Sequence, residues 1–154
     1  MRHQPLSRLA LAGLLAIAPF ISARADGCNV TGGGVAFGAY DPRRSASLDA
    51  TGSLDIQCSN NFHATVSVSL GNGAGASYSG GRRMTRAGGG TLAYNLYANS
   101  ARTQVLGDGT GASVTLPVSG NRHDTQAIWA RILKNQPNAL SGSYTDTVVV
   151  TVSY

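Results

Sequence analysis

Apolar side chains recur at every second position in seven short runs of this 154-residue chain, with glycine-rich punctuation between the runs. The clearest run is the last eleven residues, Tyr144 to Tyr154. There Val148, Val150, Val152 and Tyr154 fall on one parity and Thr147, Thr151 and Ser153 on the other, with Val149 the apolar exception. Successive strand side chains point to opposite faces, so this pattern predicts a β-strand with one apolar face. β-branched residues dominate it, as a half-buried pleated surface prefers. No residue follows Tyr154 in the sequence. The expectation is therefore an edge left open unless another chain covers it.

Six further runs carry the same period. They are Val35, Phe37 and Ala39; Leu54, Ile56 and Cys58; Ala64, Val66, Val68 and Leu70; Leu92, Tyr94 and Leu96; Val114, Leu116 and Val118; and Ile128, Ala130 and Ile132. Turn formers separate them, among them Asp41-Pro42, Gly71-Asn72-Gly73, Gly88-Gly89-Gly90, Gly107-Asp108-Gly109 and Gly120-Asn121. Glutamate is absent and Lys134 is the sole lysine, so the residues that usually decorate helices are scarce. No stretch has a helical period, no linker divides the chain and no internal repeat is visible. Seven short strands punctuated in this way predict an all-β sandwich.

The first residues follow a different logic. Arg2 and Arg8 give a basic start, Leu9 to Ile21 is almost wholly apolar, and Ala23-Arg24-Ala25 matches the pattern at which signal peptidase cuts. The apolar run is short for a bilayer span. Residues 1–25 are expected to be a cleaved secretory signal, leaving one domain over 26–154, long enough for a real core. Three arginines leave with the signal. Nine basic residues then face seven acidic ones, a net charge of about +2 in place of +5.

Both cysteines, Cys28 and Cys58, lie in the exported part, where oxidising conditions favour a disulfide. Closing that loop would constrain the unfolded chain by roughly 3–4 kcal/mol in the entropic model. A metal site is the rival reading, but no histidine stands at ligand spacing.

Taken in order, several segments carry a resemblance. They are Cys28-Asn29-Val30; Val35-Ala36-Phe37-Gly38-Ala39-Tyr40-Asp41-Pro42; Gly52 to Cys58; Arg83-Met84; Leu92-Ala93-Tyr94-Asn95-Leu96-Tyr97; Gly107-Asp108-Gly109-Thr110; and Gly142-Ser143-Tyr144-Thr145-Asp146-Thr147. Together they resemble the spore coat protein U family, which includes subunits of archaic, Csu-type chaperone–usher pili. The family often has Trp before the Gly-Asp-Gly turn; Leu106 stands there in this chain.

The resemblance implies an incomplete immunoglobulin-like sandwich lacking its final strand. A periplasmic pilus chaperone lends a strand, and a neighbouring pilin subunit replaces it at an outer-membrane usher. It places the partner-strand groove at Val35, Phe37, Val148, Val150, Val152 and Tyr154. Only Asp26 and Gly27 precede Cys28 if cleavage follows Ala25. The chain is then expected to accept a strand without having one to give, at a fibre end or in a coat.

Other chemistries fit less well. His63 and His123, the latter beside Asp124, lack a nucleophile elbow, and sequence neighbours on a strand point apart. The Gly71–Gly75 and Gly88–Gly90 stretches lack the following helix and Lys-Ser/Thr of a phosphate cradle. Asp108 alone falls short of a calcium shell. Arg82, Arg83 and Arg86, with Arg43 and Arg44, read as solvated charge, or as a patch attracted to anionic glycans. No catalytic residue, metal, cofactor, small-molecule substrate or nucleic acid is expected. A structural pilus or coat subunit at the cell surface ranks first, a surface-binding tip adhesin second and a secreted hydrolase a distant third.

Overall fold

The structure, a computed structural model, describes residues 27–43, 45–71 and 73–154. The expected signal segment, Arg44 and Asn72 lie outside the described residues. Seven strands and no helix form among them: β1 (Cys28–Gly34), β2 (Leu48–Val68), β3 (Arg82–Arg86), β4 (Thr91–Tyr97), β5 (Leu116–Ile132), β6 (Tyr144–Thr145) and β7 (Val150–Ser153). The fold is all-β, as the period-two pattern and the absence of glutamate imply.

The strands divide differently from the runs in the sequence. The runs at Leu54–Cys58 and Ala64–Leu70 belong to one long strand, β2, because Phe62 carries the buried parity across the gap. Likewise Leu116–Val118 and Ile128–Ile132 are the two ends of β5. These strands pair antiparallel from Leu48↔Ile132 to Val66↔Leu116, with the register shifting between Gln57 and Asn61. Arg122, at φ 71°, turns β5 opposite that irregularity. β1 was not foreseen, since three glycines in seven residues make poor strand material. It forms because it ladders onto Ser53–Cys58 of β2. A disulfide joins Cys28 to Cys58, which face each other in the ladder. By contrast Val35–Ala39, expected as a loose strand, forms no ladder, and Gly38 at φ +72° interrupts it.

One sheet contains every strand, in the order β1-β2-β5-β4-β3-β6, with β7 on β2. β1 and β7 occupy successive stretches of the same β2 edge, at Ser53–Cys58 and Thr65–Val68. The sheet curls over a core in which Ile56, Val66, Leu106 and Ala130 are fully buried and Leu92 and Ile132 nearly so. Its curl leaves a seam where the two end strands of the path, β1 and β6, line a common cleft without pairing.

Candidate functional site

The seam is a cleft of about 1470 Å³. Its floor is made of core side chains, including Leu54 of β2, Met84 of β3, Leu92, Tyr94 and Leu96 of β4, and Ile128 and Ile132 of β5. Alternate strand residues point inward, so the even parity that buries these residues also presents them to the seam. One wall is the end of β1 and the segment Val35–Asp41; the other is Ala139–Val148 with Val150.

The walls differ from the body in their backbones. Among the described residues, no backbone–backbone hydrogen bond outside the strands involves Val35–Asp41, Thr147 or Val148. Thr147 N–H turns to the Asp146 carboxylate at 2.9 Å instead of to a carbonyl. Buried peptide groups are almost always paired, so backbone left this way beside an apolar floor fits an added strand. Large apolar side chains are exposed on both rims, Val30 on one and Leu140 on the other.

The polar features of the cleft are few. Tyr94 donates its hydroxyl to Asp146 Oδ2 at 2.8 Å. Burial pushes the Tyr94 phenol well above its ordinary value, and the Asp146 carboxylate adds to the shift. The Asp146 carboxylate also sits over Gly71, where φ is +85° and any side chain would collide with it. On the opposite wall, Phe37 meets the Tyr94 ring edge-on at 5.8 Å between centroids.

Beside this floor lies a correction to the reading of Arg82, Arg83 and Arg86 as a solvated cluster. Arg82 is wholly buried. Its guanidinium donates to the carbonyls of Ser69 (3.0 Å), Val68 (3.2 Å) and Leu106 (2.7 Å) and stacks over the Tyr78 ring. Burial lowers its pKa from the ordinary value. The signal was present in the sequence, because Arg82 shares the inward parity of Met84 on β3.

Of the six residues expected in the groove, Val35, Phe37, Val148 and Val150 line the cleft. Val152 instead packs against the core where β7 meets β2. Tyr154, 69% exposed, borders a separate hollow of about 400 Å³ with His63 and Pro117. The floor residues Met84, Tyr94, Leu96 and Leu106 were not foreseen as part of the site. Their parity marks them as inward, but only the distant closure of the sheet decides that they face a cleft. Leu106, which stands where the family often has Trp, is fully buried in this floor.

Among the described residues, no group of three or more His, Cys, Asp or Glu stands together to hold a metal ion. His63 and His123 are exposed, while Asp124 faces the other side and accepts from Gln126. Asp108 is occupied by the backbone and hydroxyl of Thr110, at 2.9 and 2.6 Å.

A curled, immunoglobulin-like β-fold with one disulfide and an open seam defines the class. The family model for the Spore Coat Protein U domain matches residues 13–151, and the chain belongs to that family. It is 31% identical over 139 residues to "Protein U" of Myxococcus xanthus, covering 83% of this chain and 75% of that relative. Its fold is similar to a chain in the crystal structure of the CsuC–CsuE chaperone–tip adhesion subunit pre-assembly complex, from the archaic chaperone-usher Csu pili of Acinetobacter baumannii. That likeness has a TM-score of 0.56 at 23% identity and covers 84% of this chain. This chain spans 40% of the length of that solved chain.

Proposed function

We propose that this protein is a structural, non-enzymatic subunit of a chaperone–usher pilus or coat that accepts an extended strand in its seam. The observation that carries the reading is an apolar floor between two walls in which Val35–Asp41, Thr147 and Val148 make no backbone–backbone hydrogen bond outside the strands among the described residues. A periplasmic pilus chaperone would fill the seam during export, and a neighbouring subunit would replace it at an outer-membrane usher. Covering about 600 Å² of apolar surface would contribute roughly 15 kcal/mol before ordering costs, enough to hold a fibre without covalent bonds. Family membership supports the reading, as does the chaperone–subunit complex among the similar folds.

The structural role is favoured over that of a tip adhesin. Among the described residues, the exposed large apolar side chains are Val30, Leu140, Val149 and Tyr154. None lies on the Gly71–Gly81 or Gly107–Gly111 loops, where an apolar finger would be sought. If processing follows Ala25, two residues precede Cys28, and the subunit accepts a strand at a fibre end without donating one. N-terminal sequencing of the exported protein tests this point; a start well upstream of Asp26 overturns it.

The seam itself is tested by parity. Val148 faces the cleft, whereas Val149 is 65% exposed on the other side. Co-expression with a periplasmic pilus chaperone should yield a 1:1 complex that Val148→Asp abolishes and Val149→Asp leaves intact. Equal binding by the two variants, or no complex at all, defeats the reading.

A further inference from the structure

The two walls of the cleft are not anchored alike. The far wall is tied at both ends of its strand-like stretch. Thr145 ladders with Thr85 of β3, and Val149 exchanges hydrogen bonds with Ser69, accepting from its N–H at 2.9 Å and donating to its hydroxyl at 2.8 Å. Among the described residues, the near wall, Val35–Tyr40, is held by side chains alone. Val35 and Phe37 pack against the core, Phe37 sits edge-on to Tyr94, and the Tyr40 hydroxyl reaches the Leu133 carbonyl at 3.5 Å. Gly38, at φ +72°, breaks the segment so that it does not run on as a strand.

The segment also has slack. It belongs to the connection between Gly34, which pairs with Ser53, and the start of β2 at Leu48. Its two ends are therefore five residues apart along β2, about 17 Å at the strand rise. Thirteen residues join them and can reach about 43 Å when extended. The excess lets the segment leave the floor while β1 and β2 stay joined through the Cys28–Cys58 disulfide.

We infer that Val35–Tyr40 is a strap that covers part of the cleft floor through Val35 and Phe37 and gives way to an incoming strand. The inference rests on the strand-acceptor reading above and adds its regulation. Phe37 covers the edge of Tyr94, and an inward side chain of a visiting strand needs that same surface. The strap keeps apolar floor from water in the free subunit, and an occupant must displace it before seating.

The test uses the exported chain and a fluorescein-labelled nine-residue peptide of alternating Val and Thr, with binding read by anisotropy. Phe37→Ala removes the ring that has to be displaced and should bind the peptide about 10-fold more tightly than the parent. Tyr40→Phe, which removes only the long hydroxyl contact, should tighten binding about 2-fold. Hydrogen exchange at the Leu92–Leu96 amides, which lie in the β4 ladders, should be unchanged in both variants. If Phe37→Ala loses that protection, Tyr40→Phe decides alone. Equal or weaker peptide binding by the variants overturns the strap while leaving the acceptor cleft in place. Failure of the parent and both variants to bind removes the acceptor reading, and the strap with it.

Discussion

The β2–β5 body and the seam are built from the same alternation of apolar and polar residues, yet they differ in what their backbones do. Along β2, Leu54, Ile56, Val66 and Val68 are buried at every second residue, and apart from the irregularity between Gln57 and Asn61 the backbone up to Val66 ladders to β5. Along the seam, Val35, Phe37, Val148 and Val150 alternate just as regularly, but much of the backbone that carries them meets no neighbour. A period of two specifies which face is apolar. It does not specify whether another strand lies alongside, because that neighbour comes from elsewhere in the chain or from another chain.

The contrast is sharpest at Arg82, which binds the end of β2 and the Leu106 carbonyl into one rigid frame. Arg82→Ala deprives the Ser69 and Leu106 carbonyls of this donor and opens a cavity, and should cost about 3–5 kcal/mol in urea unfolding. A cost below ~1 kcal/mol would mean that the body is not organised around this side chain. The disulfide is next, because it fastens a wall of the seam to the body. Replacing Cys28 and Cys58 together by Ser should cost about 3 kcal/mol. It should also speed hydrogen exchange across Asn29–Gly34 before it affects β4.

A single substitution made in both regions tests the comparison directly. Val66 is fully buried between β5 and β7, whereas Val148 is half-buried at the cleft. Val66→Ala should cost about 2–3 kcal/mol and Val148→Ala about 1 kcal/mol in the empty protein. With an occupant in the cleft, the cost of Val148→Ala should rise toward that of Val66→Ala. Equal costs in the empty protein would mean that the seam is already closed.

Tyr94 adds a pH dependence to the seam. Its phenol titrates above the ordinary value of 10.0 in the folded protein, so the folded state holds this proton longer than the unfolded one. The associated stability is complete below pH 10 and is lost as pH rises through the folded value. Tyr94→Phe should cost about 1.5 kcal/mol at pH 8 by removing the bond to Asp146, and should flatten the fall in stability above pH 10. A parent whose unfolding midpoint stays level from pH 9 to 11 would contradict this assignment.

How much of this was legible in the sequence follows from which interactions are local. The all-β class, the single disulfide and the inward parity of Leu54, Ile56, Leu92, Leu96 and Ile128 are read from spacing and composition alone. The fusion of four runs into β2 and β5 was not, although Phe62 hinted at it by keeping the parity between Cys58 and Ala64. β1 was hidden because its glycines oppose strand formation, and only the ladder to β2 overrides that propensity. Arg82 was misread because charge outweighed parity in the reading; its Nε and Nη2 donate to three backbone carbonyls, which come from segments 13 to 24 residues away. Residues of the cleft walls could be named, but its floor could not. A floor exists only because β1 and β6, at opposite ends of the strand order, curl toward each other without meeting.

The smallest expected effect lies on the outside of the body, at the carboxylate joining β2 to β5. Asp49 and Arg131 are cross-strand partners, and Arg131 holds both carboxylate oxygens, at 2.6 and 2.9 Å, with Arg102 at 3.4 Å from the same carboxylate. The Arg131 hydrogen bond draws the Asp49 pKa below its ordinary value of 3.8. The resulting stability is complete above that value and is lost as pH falls through the depressed one. The carboxylate side chain is 39% exposed, so solvent and salt screen much of the gain, and Asp49→Asn should cost only about 0.5 kcal/mol at neutral pH. The cost should vanish once pH falls below the depressed value and shrink in 1 M salt, where the Debye length falls to about 3 Å. A loss several times larger, indifferent to salt, would mean that the β2–β5 ladder depends on this ion pair and not on its buried valines and isoleucines. The body would then owe its rigidity to its surface, and the distinction from the seam would have to be drawn on electrostatics and not on backbone pairing.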